Sequence, residues 1–499
     1  MSHEDFFSKE PFFRVDISNS IPIIPIIPIN PPSLLQVPHA MVSFWKYLLA
    51  VARMFQIRMF VFCGVLLIGT ADPQGFAQGP PTPQPVLNWE FENTTAEEVS
   101  RGDVWTLQDR TAGSPISYGG WFSGGLTVNN RGNTSMLGNS QLPFNNDPHL
   151  NVNQGWLWAE KEADTENDGV YWGFHVDLIA GCDGPDTEAF GGPGWDSTWQ
   201  WGSGQYGAAV PQAYVQLAID RFSIIIGRFF TILGYEQVPS PYNFFYSHDY
   251  TMAYGEPFTH TGLLCEYPLT ETITLLGGWT NGWDQGFQFA ANGSSTFLGG
   301  IQYQTPDERT SVMWTVTTGY WGKGLTIHSG GVGGGPTTMS DGNIYDQSFV
   351  WQQMLGRNWT YVFQTDLGLN QGTSQAQSIT NTQWYSVVNY LFYNFNYHWA
   401  AGIRCEWFSD PQGVCVDRAD LNQLNARGQS IPGLNRANYW EITLGLNYRT
   451  NNNFRLRPEI RYDWANGMGT NPGRRFDPLG NAYRGVDLWT LGMDAIWLF

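Results

Sequence analysis

Five charged residues stand at every second position of one short stretch: Arg455, Arg457, Glu459, Arg461 and Asp463. A strand turns alternate side chains to opposite faces, so all five share one face. Phe454, Leu456, Ile460, Tyr462 and Trp464 fall on the other. Guanidiniums interleaved with carboxylates do electrostatic work: they order water and steer ions and polar solutes. Covalent chemistry has weaker grounds. His175, His260 and His398 are candidates for a hydrolase, but the chain has no Gly-x-Ser-x-Gly turn and no His-Glu-x-x-His motif. No two histidines have the spacing of a metal pair, and the five cysteines form no Cys-x-x-Cys. Solitary histidines on a polar wall are the better reading, so no enzyme, cofactor or metal is expected.

The elements that carry such faces recur along the chain. In 437–449, Trp440, Ile442, Leu444, Leu446 and Tyr448 oppose Tyr439, Glu441, Thr443, Gly445 and Asn447. In 359–370, Trp359, Tyr361, Phe363, Leu367 and Leu369 oppose Gln364, Asp366 and Asn370. In 169–181, Trp172, Phe174, Val176 and Leu178 oppose His175 and Asp177. The stretch Val486 to Phe499 puts Trp489, Leu491, Met493, Ala495, Trp497 and Phe499 on one face. About ten to twelve residues of tilted strand cross a bilayer's apolar layer. Strands are expected over 116–129, 149–162, 169–181, 210–220, 222–229, 258–267, 272–283, 295–304, 310–321, 347–355, 359–370, 382–395, 397–409, 437–449, 454–465 and 486–499, about sixteen in all. Short links alternate with long ones (130–148, 182–209, 230–257, 284–294, 322–346, 371–381, 410–436, 467–485). That rhythm describes a transmembrane antiparallel up-and-down β-barrel, all-β, with short periplasmic turns and long extracellular loops. A charge on the lipid side near mid-membrane costs about 2–4 kcal/mol. The five-charge face therefore points into a polar, hydrated lumen, and the greasy face meets outer-membrane lipid. Trp279, Trp283, Trp321, Trp359, Trp407, Trp464 and Trp497 fall near strand ends, where interfacial girdles form. The faces of 149–162, 222–229 and 382–395 are mixed, which predicts bulges or shifted bounds.

Composition agrees. Of 499 residues, 42% are hydrophobic and only 14% charged, yet no long apolar run follows the N-terminal region, which excludes helical spans there. The formal charge of −19 argues against nucleic acid as a partner. Residues 1–77 read as an N-terminal extension plus signal peptide. Lys46, Arg53 and Arg58 precede an apolar run from Met59 to Gly69, and Gly75-Phe76-Ala77 offers small residues at the cut. The Pro-rich, then polar, 78–115 reads as a periplasmic segment, and the barrel as 116–499.

One passage is distinctive: Gly227-Arg228-Phe229 ends a strand, Phe245-Tyr246-Ser247 sits in the loop, and Gly255 to Gly262 (GEPFTHTG) re-enters the barrel. It resembles the OmpL-like beta-barrel porin family (beta-barrel porin 2), specifically over 226–262 and plausibly from Gly119 to Phe499. The resemblance implies an outer-membrane channel for small hydrophilic solutes or ions. It further implies that the loop between the fifth and sixth strands, 230–257, folds inward and narrows the pore. Glu236, Asp249 and Glu256 of that loop are expected to face arginines on the wall, first Arg455, Arg457 and Arg461, then Arg228 and Arg404. A homo-oligomer is an open expectation, and the terminal strand ending in Phe499 is expected to be the part recognised by the barrel-assembly machinery.

Two other classes remain. Trp195, Trp199 and Trp201 of the second long loop suit an aromatic track for sugars. A secreted carbohydrate-binding β-protein accounts for the leader, the aromatics and the glycines, but not for apolar faces on so many strands. Cys405 and Cys415 are ten apart, so a disulfide is sterically open, though Cys405 lies on an apolar face by parity.

Overall fold

The computed structural model describes residue 107 and residues 114–130, 149–165, 167–189, 195–196, 199–202, 205–287, 293–320, 325–327, 337–340, 342–374, 379–412, 415–416, 437–451, 453–467 and 487–499. The expected leader over 1–77, and almost all of the 78–115 segment, lie outside the described residues.

Sixteen strands build one sheet: β1 Ser117–Asn129, β2 Asn151–Lys161, β3 Val170–Gly181, β4 Ala213–Ile219, β5 Phe222–Phe230, β6 Thr259–Pro268, β7 Ile273–Thr280, β8 Ser295–Gln304, β9 Thr310–Tyr320, β10 Asn343–Met354, β11 Trp359–Ser374, β12 Ile379–Asn394, β13 Trp399–Asp410, β14 Ala437–Asn451, β15 Phe454–Gly467 and β16 Asp487–Leu498. Each pairs antiparallel with the next. β1 also pairs with β16, from Trp121↔Leu498 to Asn129↔Thr490, and this closes the cylinder. Closure removes the exposed edge that an apolar last strand would otherwise leave. Two loops carry short ladders of their own, Gln200–Trp201 with Tyr206–Ala209 and Leu325–Ile327 with Thr337–Ser340.

All sixteen expected strands are present, and the alternation of short and long links holds with one exception. Ladder extends into the expected long loop over 371–381, since Thr373 pairs with Thr380 and Ser374 with Ile379, while 375–378 lie outside the described residues. Outward positions are exposed and apolar, as at Leu444, Leu491 and Met493, while Thr443, Thr490 and Asp494 between them are buried. The mixed faces have physical causes. On β2 the register shifts opposite Ser123/Gly124, so consecutive Asn153 and Gln154 are both buried. On β12 the inward face itself carries Trp384, Tyr390 and Phe392, which pack against a loop. Trp279, Trp359 and Trp497 are exposed at the outer wall as expected of a girdle. Trp283 is not: it is buried, 6.1 Å from Trp384. Trp321 lies outside the described residues.

Candidate functional site

The barrel's core is its lumen, occupied by residues 231–258 between β5 and β6. From Val238 to Phe258 every residue is buried except Tyr242, which is 46% exposed. An irregular backbone removed from water must find partners for its N–H and C=O groups. The wall supplies them by charge type. Arg457 Nη1 donates to the carbonyls of Ser240, Asn243 and Phe245 at 2.9, 2.8 and 2.9 Å. Arg455 donates to Pro241 O at 2.7 Å, Arg461 to His248 O at 2.5 Å and Asn447 to Phe244 O at 2.7 Å. Glutamates take the amides: Glu459 accepts from Tyr246 N and Ser247 N, and Glu406 from Tyr250 N at 2.6 Å and Thr251 N at 2.7 Å. Three strands further round the cylinder, on β2, Gln154 donates to Val238 O at 2.8 Å and accepts from Ser240 N at 3.0 Å.

The aromatic run Phe244-Phe245-Tyr246 lies against glycines of the wall. A Cβ added at Gly402 would come within 2.6 Å of the Phe244 ring, one at Gly445 within 2.9 Å of Phe245, and one at Gly125 within 2.6 Å of Tyr246. These close approaches are why β-branched residues, the usual strand formers, are absent there. Gly402→Val should therefore lower stability by about 1–3 kcal/mol through overpacking, although valine suits a strand better. The temperature at which the folded barrel loses its compact gel mobility reports this. An unchanged or raised temperature would contradict the contact.

Charge pairing differs in detail from the expectation. Glu236 pairs with Arg404 at 2.6 Å, and Arg404 Nε also donates to Glu441 at 2.5 Å. Glu236 Oε2 contacts His248 at 2.9 Å. Asp249 accepts from the Tyr390 hydroxyl and from Met252 N at 2.7 Å, and Glu256 from Gln364 at 2.6 Å, not from arginines. Arg457 is held bidentately by Asp494, and Arg461 by Asp463, which also accepts from Tyr250 OH at 2.8 Å. The physical reason is that Arg455, Arg457 and Arg461 are committed to backbone carbonyls and strand carboxylates. Nor is this wall face wet: Arg404, Arg461 and Asp463 are 0% exposed. On the loop itself, outside the spanning strands, burial would raise the Glu236 carboxyl, but Arg404 and His248 outweigh it and hold it at about 2. Burial, then the Glu236 charge, push Asp249 up to about 8. Burial and neighbouring Asp366 push Glu256 well above the usual carboxylate range.

Arg228 stands apart from this group. It pairs with Asp196 at 2.6 Å and donates to Thr187 O at 2.8 Å, so it anchors the second long loop and not 231–258. The histidines do not converge: His175 lies between Glu160 and Asp177, His260 contacts Thr231, and His398 contacts Arg449 O. Cys405 and Cys415 are unbridged. Glu406, Asp494, Gln154 and Tyr390 are not among the candidates read from the sequence, and Glu441 appears there only as part of the inward face of 437–449. Alternation alone points to two of them, since Glu406 shares inward parity with Arg404, and Asp494 lies on the face opposite Trp489, Leu491 and Met493.

Three comparisons bear on this arrangement. A family model described as "Putative beta-barrel porin-2, OmpL-like" matches residues 115–499. Among solved structures, the outer membrane channel DcaP of Acinetobacter baumannii is similar with TM-score 0.48 and 12% identity, covering 77% of this chain and 97% of that one. OmpT of Vibrio cholerae gives 0.47 and 11%, with the same coverage. An anion-selective porin from Comamonas acidovorans gives 0.47 and 9%, covering 77% and 99%. No curated protein matches the sequence. A closed sixteen-strand barrel belted by exposed apolar side chains does not fit a secreted β-protein, and with the family model spanning 115–499 the chain belongs to the OmpL-like beta-barrel porin-2 family of the bacterial outer membrane.

Proposed function

We propose that this chain is a passive channel for small hydrophilic solutes or ions, with residues 231–258 narrowing its lumen. The observation that carries the reading is the seat of that loop: its backbone is bonded, inside a closed barrel, to side chains of β2 and β13–β15. Passive passage needs no catalytic group, only a hole with a size and a charge pattern. Glu236, Asp249, Glu256, Arg404, Arg455, Arg457, Glu459, Arg461 and Asp463 act on that pattern by seating the loop, and Arg228 acts at one remove by fixing the second loop. Outer-membrane lipid contacts the apolar wall, and the β16 end at Phe499 is the part offered to the assembly machinery.

Liposome swelling with sugars of increasing size tests the reading. Swelling should be fast with the smallest sugars and fall off sharply with size. Liposomes that do not swell with any of them, and carry no ion current, would sink it. A second reading, an aromatic entry track for sugars, is favoured by the exposure of Trp195, Trp199 and Trp201 (36%, 46% and 48%) on one loop.

A further inference from the structure

We infer that the seat of the loop's two ends on β10 and β11 is a proton-operated latch: Glu256 holds it as a neutral acid, and loss of that proton frees the loop. The inference rests on the channel reading and adds the variable that regulates it. Residues 231–258 meet the wall in two chemically different ways. Against β13–β15 the partners include arginines and glutamates. Against β10 and β11 they are carboxyl groups served by neutral donors. Gln364 Nε2 bridges Glu256 Oε1 at 2.6 Å and Asp366 Oδ1 at 2.9 Å, while its Oε1 accepts from Tyr235 N at 3.0 Å. Ser348 Oγ donates to Asp366 Oδ1 at 3.2 Å and accepts from Gly234 N at 3.2 Å. The start and the end of the loop thus share one network. Gly234 closes over it, since an added Cβ would come within 2.1 Å of Glu256 Oε2.

The balance of charge at this seat calls for a proton. Glu256 and Asp366 are each 3% exposed, and Asp346 of β10, which acts on both, is 0% exposed. No lysine, arginine or histidine among the described residues pairs with any of the three. Neither oxygen of Asp346, nor Asp366 Oδ2, accepts a hydrogen bond from a described donor, although the Gln347 amide lies close to Asp346. Three neighbouring carboxyls away from water cannot all be ionised, and Glu256 is placed to donate its proton to Asp366. The surrounding groups do not cancel the charge. Arg404, which acts on Asp249, is taken up by Glu236 and Glu441, and His248 by Glu236. Tyr390 and Glu406 face that same Asp249, and Asp410 and Cys415 face Asp346. Asp284, beyond the loop's end, takes the Phe258 and Thr259 amides. Burial, then Asp366, hold the seated Glu256 carboxyl well above the usual range. Such a group favours seating fully below its free value, about 4.3 for glutamate. As pH rises toward the seated value, that advantage falls about tenfold per unit. Asp249 adds to the same trend up to about 8.

The test is the temperature at which the full barrel loses its compact gel mobility, measured from about pH 5 to about pH 10, with bilayer current recorded on the same samples. For the wild type, the transition should fall and the current rise as pH increases. Glu256→Gln keeps a donor for Asp366 at every pH. It should lose one proton's share of the dependence, about tenfold per pH unit in the ratio of open to narrowed dwell times. Asp346→Asn removes a buried like charge and should melt above the wild type at about pH 9. A wild type indifferent to pH, a Glu256→Gln barrel that changes in parallel with it, or an Asp346→Asn barrel that melts below it would overturn the latch. A barrel silent at every pH rejects the channel, while the transition temperatures still decide the latch.

Discussion

Arg404→Ala should loosen the loop by about 3–5 kcal/mol, the usual cost of leaving a buried ion-pair partner alone. Arg404 is fully buried, and its removal leaves Glu236 with His248 alone and Glu441 with Arg461 at 3.9 Å, both carboxylates being buried. It further removes the donors to Ser247 O and Ser247 Oγ at 2.7 and 3.1 Å. The gel-mobility transition should move to lower temperature, and single-channel current should become larger and noisier. Combining Arg404→Met with Glu236→Gln and Glu441→Gln should recover much of the loss, since no uncompensated charge then remains. If Arg404→Ala behaves as the wild type in both assays, the loop is not held by this pair.

Arg457→Ala should have an effect of comparable size by a different route. One guanidinium nitrogen serves three loop carbonyls, and Nε and Nη2 hold Asp494 at 2.9 and 2.6 Å. Truncation leaves Asp494, 1% exposed, without that cation and takes a charged donor from the 240–245 turn. Hydrogen bonds to charged groups are worth about 1.5–3 kcal/mol each, though sharing one donor makes these three less than additive. Arg457→Lys should rescue only partly, because an ammonium cannot span the carboxylate and the carbonyls together. Protease added to sealed, oriented liposomes reads the release: Arg457→Ala should be cut near 240–245 while the wild type resists. Equal resistance in both would show that this clamp is dispensable.

The strands were legible because their signal is local. A period of two with one apolar side persists wherever lipid lies outside, as along Trp440–Tyr448, and needs no knowledge of partners. Lumen-facing chemistry is less local. Tyr390, Phe392 and Trp384 blurred the pattern of β12, since an aromatic residue pointing inward makes sense only once Phe244 and Tyr254 of a distant loop are known to meet that wall. The same holds for the ion pairs. Parity placed Arg404, Arg457 and Arg461 on one side, but which arginine meets which carboxylate depends on strand stagger and the path of the loop. Arg404 and Glu236 are 168 residues apart. Arg228 misled for a related reason: it sits beside the loop's root in sequence, yet its burial comes from Thr187 and Asp196, in a connection without periodic signal.

Single-channel conductance of the purified barrel in a planar bilayer, before and after replacing 236–256 with a short Gly-Ser link, tests the central claim most directly. With the insert gone, conductance should rise several-fold while the strands keep the gel mobility of a folded cylinder. A shortened protein that stays folded and passes the same current as the parent would show that this segment does not set the width of the path.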